Sequence, residues 1–214
     1  MKMAPRSSEP LDTELADLPQ ALRWREWRTR VEAVLFASSE PVGRDVLARL
    51  VGRNCALDLL IEDISAELAD RPYEIVRIAG GWQFRTRPQH SAAIRAARGE
   101  GEAGRDLTQN EALVLTIIAY MQPVTRGAIS RLTGREVSRD LIARLHRQAL
   151  IARGPRSPES GAPYTYVTTP GFLVQFGLET LRDLPDLEAL EDAGLLKPAA
   201  DIALDLPVSG EDTD

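Results

Sequence analysis

Ile117-Ile118-Ala119-Tyr120-Met121-Gln122-Pro123-Val124-Thr125-Arg126 decides the fold. An apolar run breaks at Gln-Pro and restarts on a threonine. Upstream, Thr108 stands three residues before Glu111, a capping-box signature, so a helix is expected from there to about Met121. Pro123 ends it, and Thr125 is placed to cap a short second helix carrying Ala128, Ile129 and Leu132, closed by Gly134. Ser138 is placed to cap a third, with Leu141, Ile142, Leu145 and Leu150 on its apolar side. Residues 151–153 and 164–168 read as two short strands, and 154–163, rich in Gly, Pro and Ser, as a pure loop between them. Three helices followed by a long-tipped hairpin is the order of a winged helix.

The first half repeats this order. A helix from residues 18–21 to 37 carries Trp24, Trp27, Val31, Val34 and Leu35 at helical spacing, with arginines between them. Two readings are open for its tryptophans: they cover the core of their own domain, or they pack on a second copy of the chain. Helices are expected at 43–51 and 56–69, a hairpin at 73–78 and 82–86 turning on Gly80-Gly81, and a last helix at 88–98. Shifting the chain by 82 positions superposes Pro41 on Pro123, Arg44 on Arg126, Leu50 on Leu132 and Leu68 on Leu150, with 11 of the 31 positions from 41 to 71 identical. That period is too long for a solenoid repeat and suits tandem copies of one domain.

The expectation is an α+β chain, mainly helical, of two tandem winged-helix domains at 18–98 and 107–185. A linker joins them at 99–106, and disordered segments are expected at 1–17 and in the acidic tail 186–214. The net charge of −6 is unevenly spread: residues 171–214 hold 11 acidic groups against 2 basic, and the two domains are mildly basic. Leucines alternate with acids in that tail, which fits either a solubilising segment or a partner-binding one. One cysteine, Cys55, rules out an internal disulfide; with no membrane-length apolar run and no signal-like start, the cytoplasm is expected.

Little points to catalysis. The two histidines, His90 and His146, fall in different repeats, and no zinc spacing, phosphate loop or dinucleotide fingerprint is legible. No catalytic residues, cofactor or metal are therefore expected. Nucleic acid is the rival. Arg135, Arg139, Arg144 and Arg147 decorate the helix that reads DNA in helix-turn-helix proteins. The matching helix of the first copy is acidic (Asp58, Glu62, Asp63, Glu67), and the wing tips are read as lacking a basic cluster. Recognition of protein is favoured over a DNA-binding transcription regulator.

The decisive stretch also resembles the hallmark of a family, segregation and condensation protein B. So do Tyr166-Val167-Thr168-Thr169-Pro170-Gly171-Phe172-Leu173, Phe176-Gly177-Leu178 and Leu181-Arg182-Asp183-Leu184-Pro185. In the first copy Glu32-Ala33-Val34-Leu35-Phe36-Ala37 and the stretch Ala79-Gly80-Gly81-Trp82-Gln83-Phe84-Arg85-Thr86-Arg87-Pro88 fit as well. Two positions depart from the family pattern: Met121 and Ala162 stand where arginine is common. The resemblance implies a non-catalytic homodimer, dimerising mainly through its first domain. It implies binding to the kleisin subunit, segregation and condensation protein A (ScpA), and through it to the SMC ATPase ring that compacts and partitions chromosomes at the nucleoid. On this reading the candidate partner-binding residues are Tyr120, Gln122, Pro123, Arg126, Tyr166, Thr168, Thr169, Phe172 and Phe176, and the candidate dimer residues are Trp24, Trp27 and Val31. Tyr120, Phe172 and Phe176 are equally suited to filling the second core.

Overall fold

The computed structural model describes residues 11–98, 107–158 and 160–186. The chain divides into two compact units at the boundary between Asp106 and Leu107. Each unit mixes helices with a small three-stranded antiparallel sheet. The expected linker, residues 1–10 and the tail from 187 onward lie outside the described residues.

In the first unit α1 (Gln20–Ala37) follows Pro19 and buries Trp27, Val31 and Leu35, four residues apart along one face. The chain then makes β1 (Val42–Gly43), α2 (Arg44–Ala48) and α3 (Leu57–Glu67). Leu57, Leu60, Ile61 and Ile64 of α3 are buried, the i, i+3, i+4, i+7 stripe of an amphipathic helix. The hairpin of β2 (Tyr73–Ile78) and β3 (Gly81–Thr86) completes a sheet in the order β1-β3-β2. Its turn sits one residue earlier than expected, on Ala79 and Gly80, both in the left-handed region (φ +50° and +74°). Gly81 belongs to the strand: a Cβ there would lie 2.8 Å from the Val42 carbonyl oxygen, so β1 closes on β3 only because the side chain is missing. A 3₁₀ turn (Pro88–His90) leads into α4 (Ser91–Arg98).

The stretch up to residue 17, expected to be disordered, is folded from residue 11 onward. Asp12 Oδ1 accepts from the backbone N–H groups of Glu14 and Leu15. The Thr13 carbonyl accepts from Trp27 Nε1 at 2.8 Å, and Leu15 packs on the core. These local bonds and one partly buried leucine anchor a segment whose composition alone reads as unstructured.

The second unit runs α5 (Gln109–Met121), β4 (Val124–Thr125), α6 (Arg126–Thr133), α7 (Arg139–Arg147), β5 (Ile151–Arg156), β6 (Tyr164–Thr168) and α8 (Pro170–Phe176), with a 3₁₀ turn at Leu181–Asp183. Thr108 forms the full capping box with Glu111, and Thr125, Ser138 and Thr169 each cap the helix they precede. Gly134 and Gly177 end α6 and α8 in the left-handed conformation. The sheet order β4-β6-β5 repeats that of the first unit. The repeat is legible in the elements too: β1 and β4, and α3 and α7, begin 82 residues apart.

Two strand assignments differ from expectation. The two-residue strands β1 and β4 carry no alternation pattern and exist through their partners on β3 and β6. Strand β5 continues through Gly154-Pro155 to Arg156, where a pure loop was expected. It is an edge strand, so the missing N–H of Pro155 breaks no inner ladder, and the register slips between Arg153 and Arg156. Gly154 fits because it lies over Thr165: a Cβ would come within 2.7 Å of that hydroxyl.

Candidate functional site

The end of α5 organises the second unit's surface. After Met121 the chain turns through a cis Gln122–Pro123 peptide into β4, which pairs Val124 with Tyr166 and Thr125 with Thr165. The Gln122 side chain ties this corner to the end of β6. Its Oε1 accepts from the Thr168 N–H at 2.7 Å, and its Nε2 donates to Thr168 Oγ1 at 3.0 Å and to the Ala119 carbonyl at 3.2 Å. The Thr169 hydroxyl donates to the Ala149 carbonyl and accepts from the Phe172 N–H. Three of the expected contact residues, Gln122, Thr168 and Thr169, thus spend their polar groups on holding the corner together.

The aromatic candidates divide. Phe172 is 4% exposed and lies in the second core. Phe176, one turn on, is 48% exposed, with its ring 4.8 Å from that of Phe172. Met121, at the place where arginine was expected from the resemblance, is 52% exposed. The Tyr120 hydroxyl donates to the Pro185 carbonyl. Burial, and then the charge of Asp186, raises the Tyr120 phenol above its ordinary pKa. Tyr120 and Gln122 face Leu181, Leu184 and Pro185 across an open hollow of about 480 Å³. Pro123 is exposed beside them in sequence.

Arg126 and Tyr166 belong elsewhere, in a groove between α7 and the β5–β6 hairpin. Arg126 Nη1 donates to Glu136 at 3.1 Å and to the Val137 carbonyl at 2.8 Å. Arg153 and Arg156 carry their guanidinium groups over the Tyr164 ring, 4.8 and 3.9 Å from its centroid. The edge strand of the hairpin therefore carries two basic groups, just before the tip that was read as lacking a basic cluster. The signal was present in Arg153 and Arg156 but hidden by reading Gly154-Pro155 as loop, which removed the strand that aligns both with Tyr164.

The dimer candidates of the first unit also fall differently. Val31 is completely buried and Trp27 is 7% exposed, both in the unit's own core. Trp24 is half-buried, its Nε1 donating to Asp63 at 2.9 Å. The helix turns these residues inward because they share the buried stripe with Leu35. The surface the sequence reading missed is an aromatic row. Phe36 is 81% exposed and meets Phe84 edge-on at 6.3 Å, and Phe84 meets Tyr73 edge-on at 5.8 Å. Phe36 directly follows Leu35, off the buried stripe, and that offset was the available signal.

Among the described residues no group of His, Cys, Asp and Glu could hold a metal, and no helix is long and apolar enough to cross a membrane. These observations define the class: two like-built helix-and-sheet units whose distinctive surfaces are a groove, a hollow and an aromatic row. The family model described as segregation and condensation complex subunit ScpB matches residues 29–187, and the chain belongs to that family, whose members are condensin-related subunits of chromosome partition and condensation. It is 36% identical over 165 residues to segregation and condensation protein B of Desulforamulus reducens, covering 75% of this chain and 89% of that one. It is 34% identical over 179 residues to the protein of the same name from Symbiobacterium thermophilum, covering 82% and 80%. Among solved structures it is similar to ScpB from Mycobacterium tuberculosis, at 25% identity, TM-score 0.34, covering 72% of this chain and 97% of that one.

Proposed function

We propose that this chain is a non-catalytic subunit of an SMC–kleisin complex, a homodimer of two tandem winged-helix domains that binds the kleisin ScpA in the cytoplasm at the nucleoid. The observation that carries the kleisin reading is the hollow beside Tyr120, where the end of α5 faces the apolar Leu181-Leu184-Pro185 side. An aromatic residue, an aliphatic wall and exposed Met121 on the same helix end suit the apolar face of a partner helix. Phe176 extends the apolar surface at the corner helix. Gln122, Thr168 and Thr169 act by positioning that corner, and Pro123 by turning the chain into it. The homodimer contact falls to the Phe36–Phe84–Tyr73 row of the first unit, with Trp24, Trp27 and Val31 supporting it from the core.

The experiment is co-purification with the cognate kleisin. Phe176→Asp and Leu184→Asp are expected to abolish capture while circular dichroism stays unchanged. Capture at wild-type strength by both folded variants excludes this surface. Phe172→Asp is unsuitable, since it places a charge in the core.

A further inference from the structure

The groove between α7 and the β5–β6 hairpin has a volume of about 920 Å³ and a one-sided charge. Arg126, Arg139, Arg147 and Arg153 line it, and none of its lining residues is acidic. Arg126 is paired with the largely exposed Glu136; among the described residues no carboxylate pairs with Arg139, Arg147 or Arg153. Apart from His146, the remaining surface is apolar and aromatic, from Ile142 and Ala143 to Pro163, Tyr164 and Tyr166. Phosphate chains would satisfy the arginines and leave that apolar surface wet. An acidic peptide with aliphatic side chains would satisfy both.

This chain carries such a segment. Residues 187–214 hold eight carboxylates against one lysine, with Leu187, Leu190, Leu195, Leu196, Leu204 and Leu206 set among them. They follow Asp186, which lies on the same unit as the groove. A unit of this size is about 30 Å across, whereas 28 extended residues reach about 90 Å. Tethering also raises the local concentration of the segment to roughly millimolar, so weak contacts suffice. We propose that residues 187–214 dock in the basic groove of their own second unit, leucines on the Ile142–Ala143 surface and carboxylates toward the arginines. This inference uses different residues from the kleisin reading, and each can fail without the other.

The test uses the full-length chain, ¹⁵N-labelled, with Cys55→Ser and Ser209→Cys and a nitroxide attached at position 209. The amide signals of Ile142, Ala143, His146 and Tyr164 are expected to lose most of their intensity and to regain it when the nitroxide is reduced. Raising salt to about 0.5 M, where charges are screened beyond about 4 Å, is expected to restore the signals as well. So is the tail variant Glu188→Gln/Glu191→Gln/Asp192→Asn, which leaves the folded unit untouched. Three results overturn the proposal. One is groove signals that ignore the nitroxide. Another is broadening that arises only from a spin-labelled second chain mixed in without ¹⁵N. The third is a groove that ignores the tail but shifts on adding a short DNA duplex.

Discussion

Gln122 holds Thr168 from both ends of one side-chain amide, its oxygen accepting from the Thr168 N–H at 2.7 Å and its nitrogen donating to the Thr168 hydroxyl at 3.0 Å. The two residues are 46 apart in sequence, so this tie joins the end of α5 to the end of β6 across the sheet corner. Replacing Gln122 with alanine strands a half-buried N–H and a hydroxyl together. A loss of about 1–3 kcal/mol is expected, seen as a lower urea midpoint for the second unit. Gln122→Glu keeps the acceptor for the N–H and is expected to lose about half as much. Equal midpoints for wild type and Gln122→Ala would mean that water replaces the amide at no cost.

Glu111 gives the second unit a pH dependence. Burial pushes its carboxyl up, but bonds from the Thr108 N–H at 2.8 Å and hydroxyl at 2.9 Å, together with Arg144 at 2.9 Å, hold it below the ordinary glutamate range. A carboxylate whose folded pKa is depressed stabilises the fold above its unfolded pKa. That stabilisation is lost as pH falls through the folded value. Glu111→Gln lacks this component. At neutral pH it is expected to be about 1–3 kcal/mol less stable than wild type, and the gap is expected to close as pH falls below about 4. Denaturant curves of both proteins across that range check it. A gap that stays constant to acid pH would falsify the assignment.

The capped helices of the second unit were legible because each boundary is a side-chain event: Thr108 with Glu111, Thr125, Ser138 and Gly134 each satisfy or end a backbone run locally. The duplication was legible because identical residues recur at fixed spacing. What stayed hidden was set by distant neighbours. Strands β1 and β4 are two residues long and defined only by the strand they pair with. Pro155 reads as a loop residue until its strand is known to be an edge. The site divided for the same reason. Phe172 and Phe176 look alike in sequence, and only the packing of α8 sends one inward and leaves the other in solvent. Trp27 and Phe36 are both aromatic residues of α1, and only the packing of the helix turns the first inward and leaves the second in solvent.

Two glycines allow a close backbone approach by the absence of a side chain, Gly81 where β3 meets β1 and Gly171 where α8 meets the turn before β5. A Cβ on Gly81 would lie 2.8 Å from the Val42 carbonyl oxygen, and one on Gly171 would lie 2.6 Å from that of Ala149. In both cases the obstacle is backbone, which has no rotamer to change. Gly81→Ala and Gly171→Ala are each expected to destabilise by about 1–3 kcal/mol, the range for forced overpacking. Gly43→Ala, with nothing within 4 Å of the added atom, is the control and is expected to be near neutral. Thermal melts of the three variants settle the order. Because Gly171 begins the corner that carries Phe176, its variant is also expected to weaken kleisin capture, whereas Gly81→Ala is not.

Trp27 and Phe36 make opposite predictions from one helix. Trp27 is buried among Val31, Leu35 and the apolar face of α3, and its Nε1 holds the Thr13 carbonyl. Truncating it to alanine opens a cavity in the first core and is expected to cost about 3–5 kcal/mol. Phe36 faces solvent and meets Phe84 edge-on, so Phe36→Asp removes little from the isolated unit, within about 0.5 kcal/mol. If the aromatic row is the contact between copies, the same change places a charge in an apolar interface. It should then shift sedimentation toward monomer at concentrations where the wild type is dimeric. Equilibrium ultracentrifugation and a melting curve on each variant separate the cases. A Phe36→Asp protein as stable and as dimeric as wild type assigns the contact elsewhere. A Trp27→Ala protein that melts normally but dissociates returns it to the tryptophan face of α1.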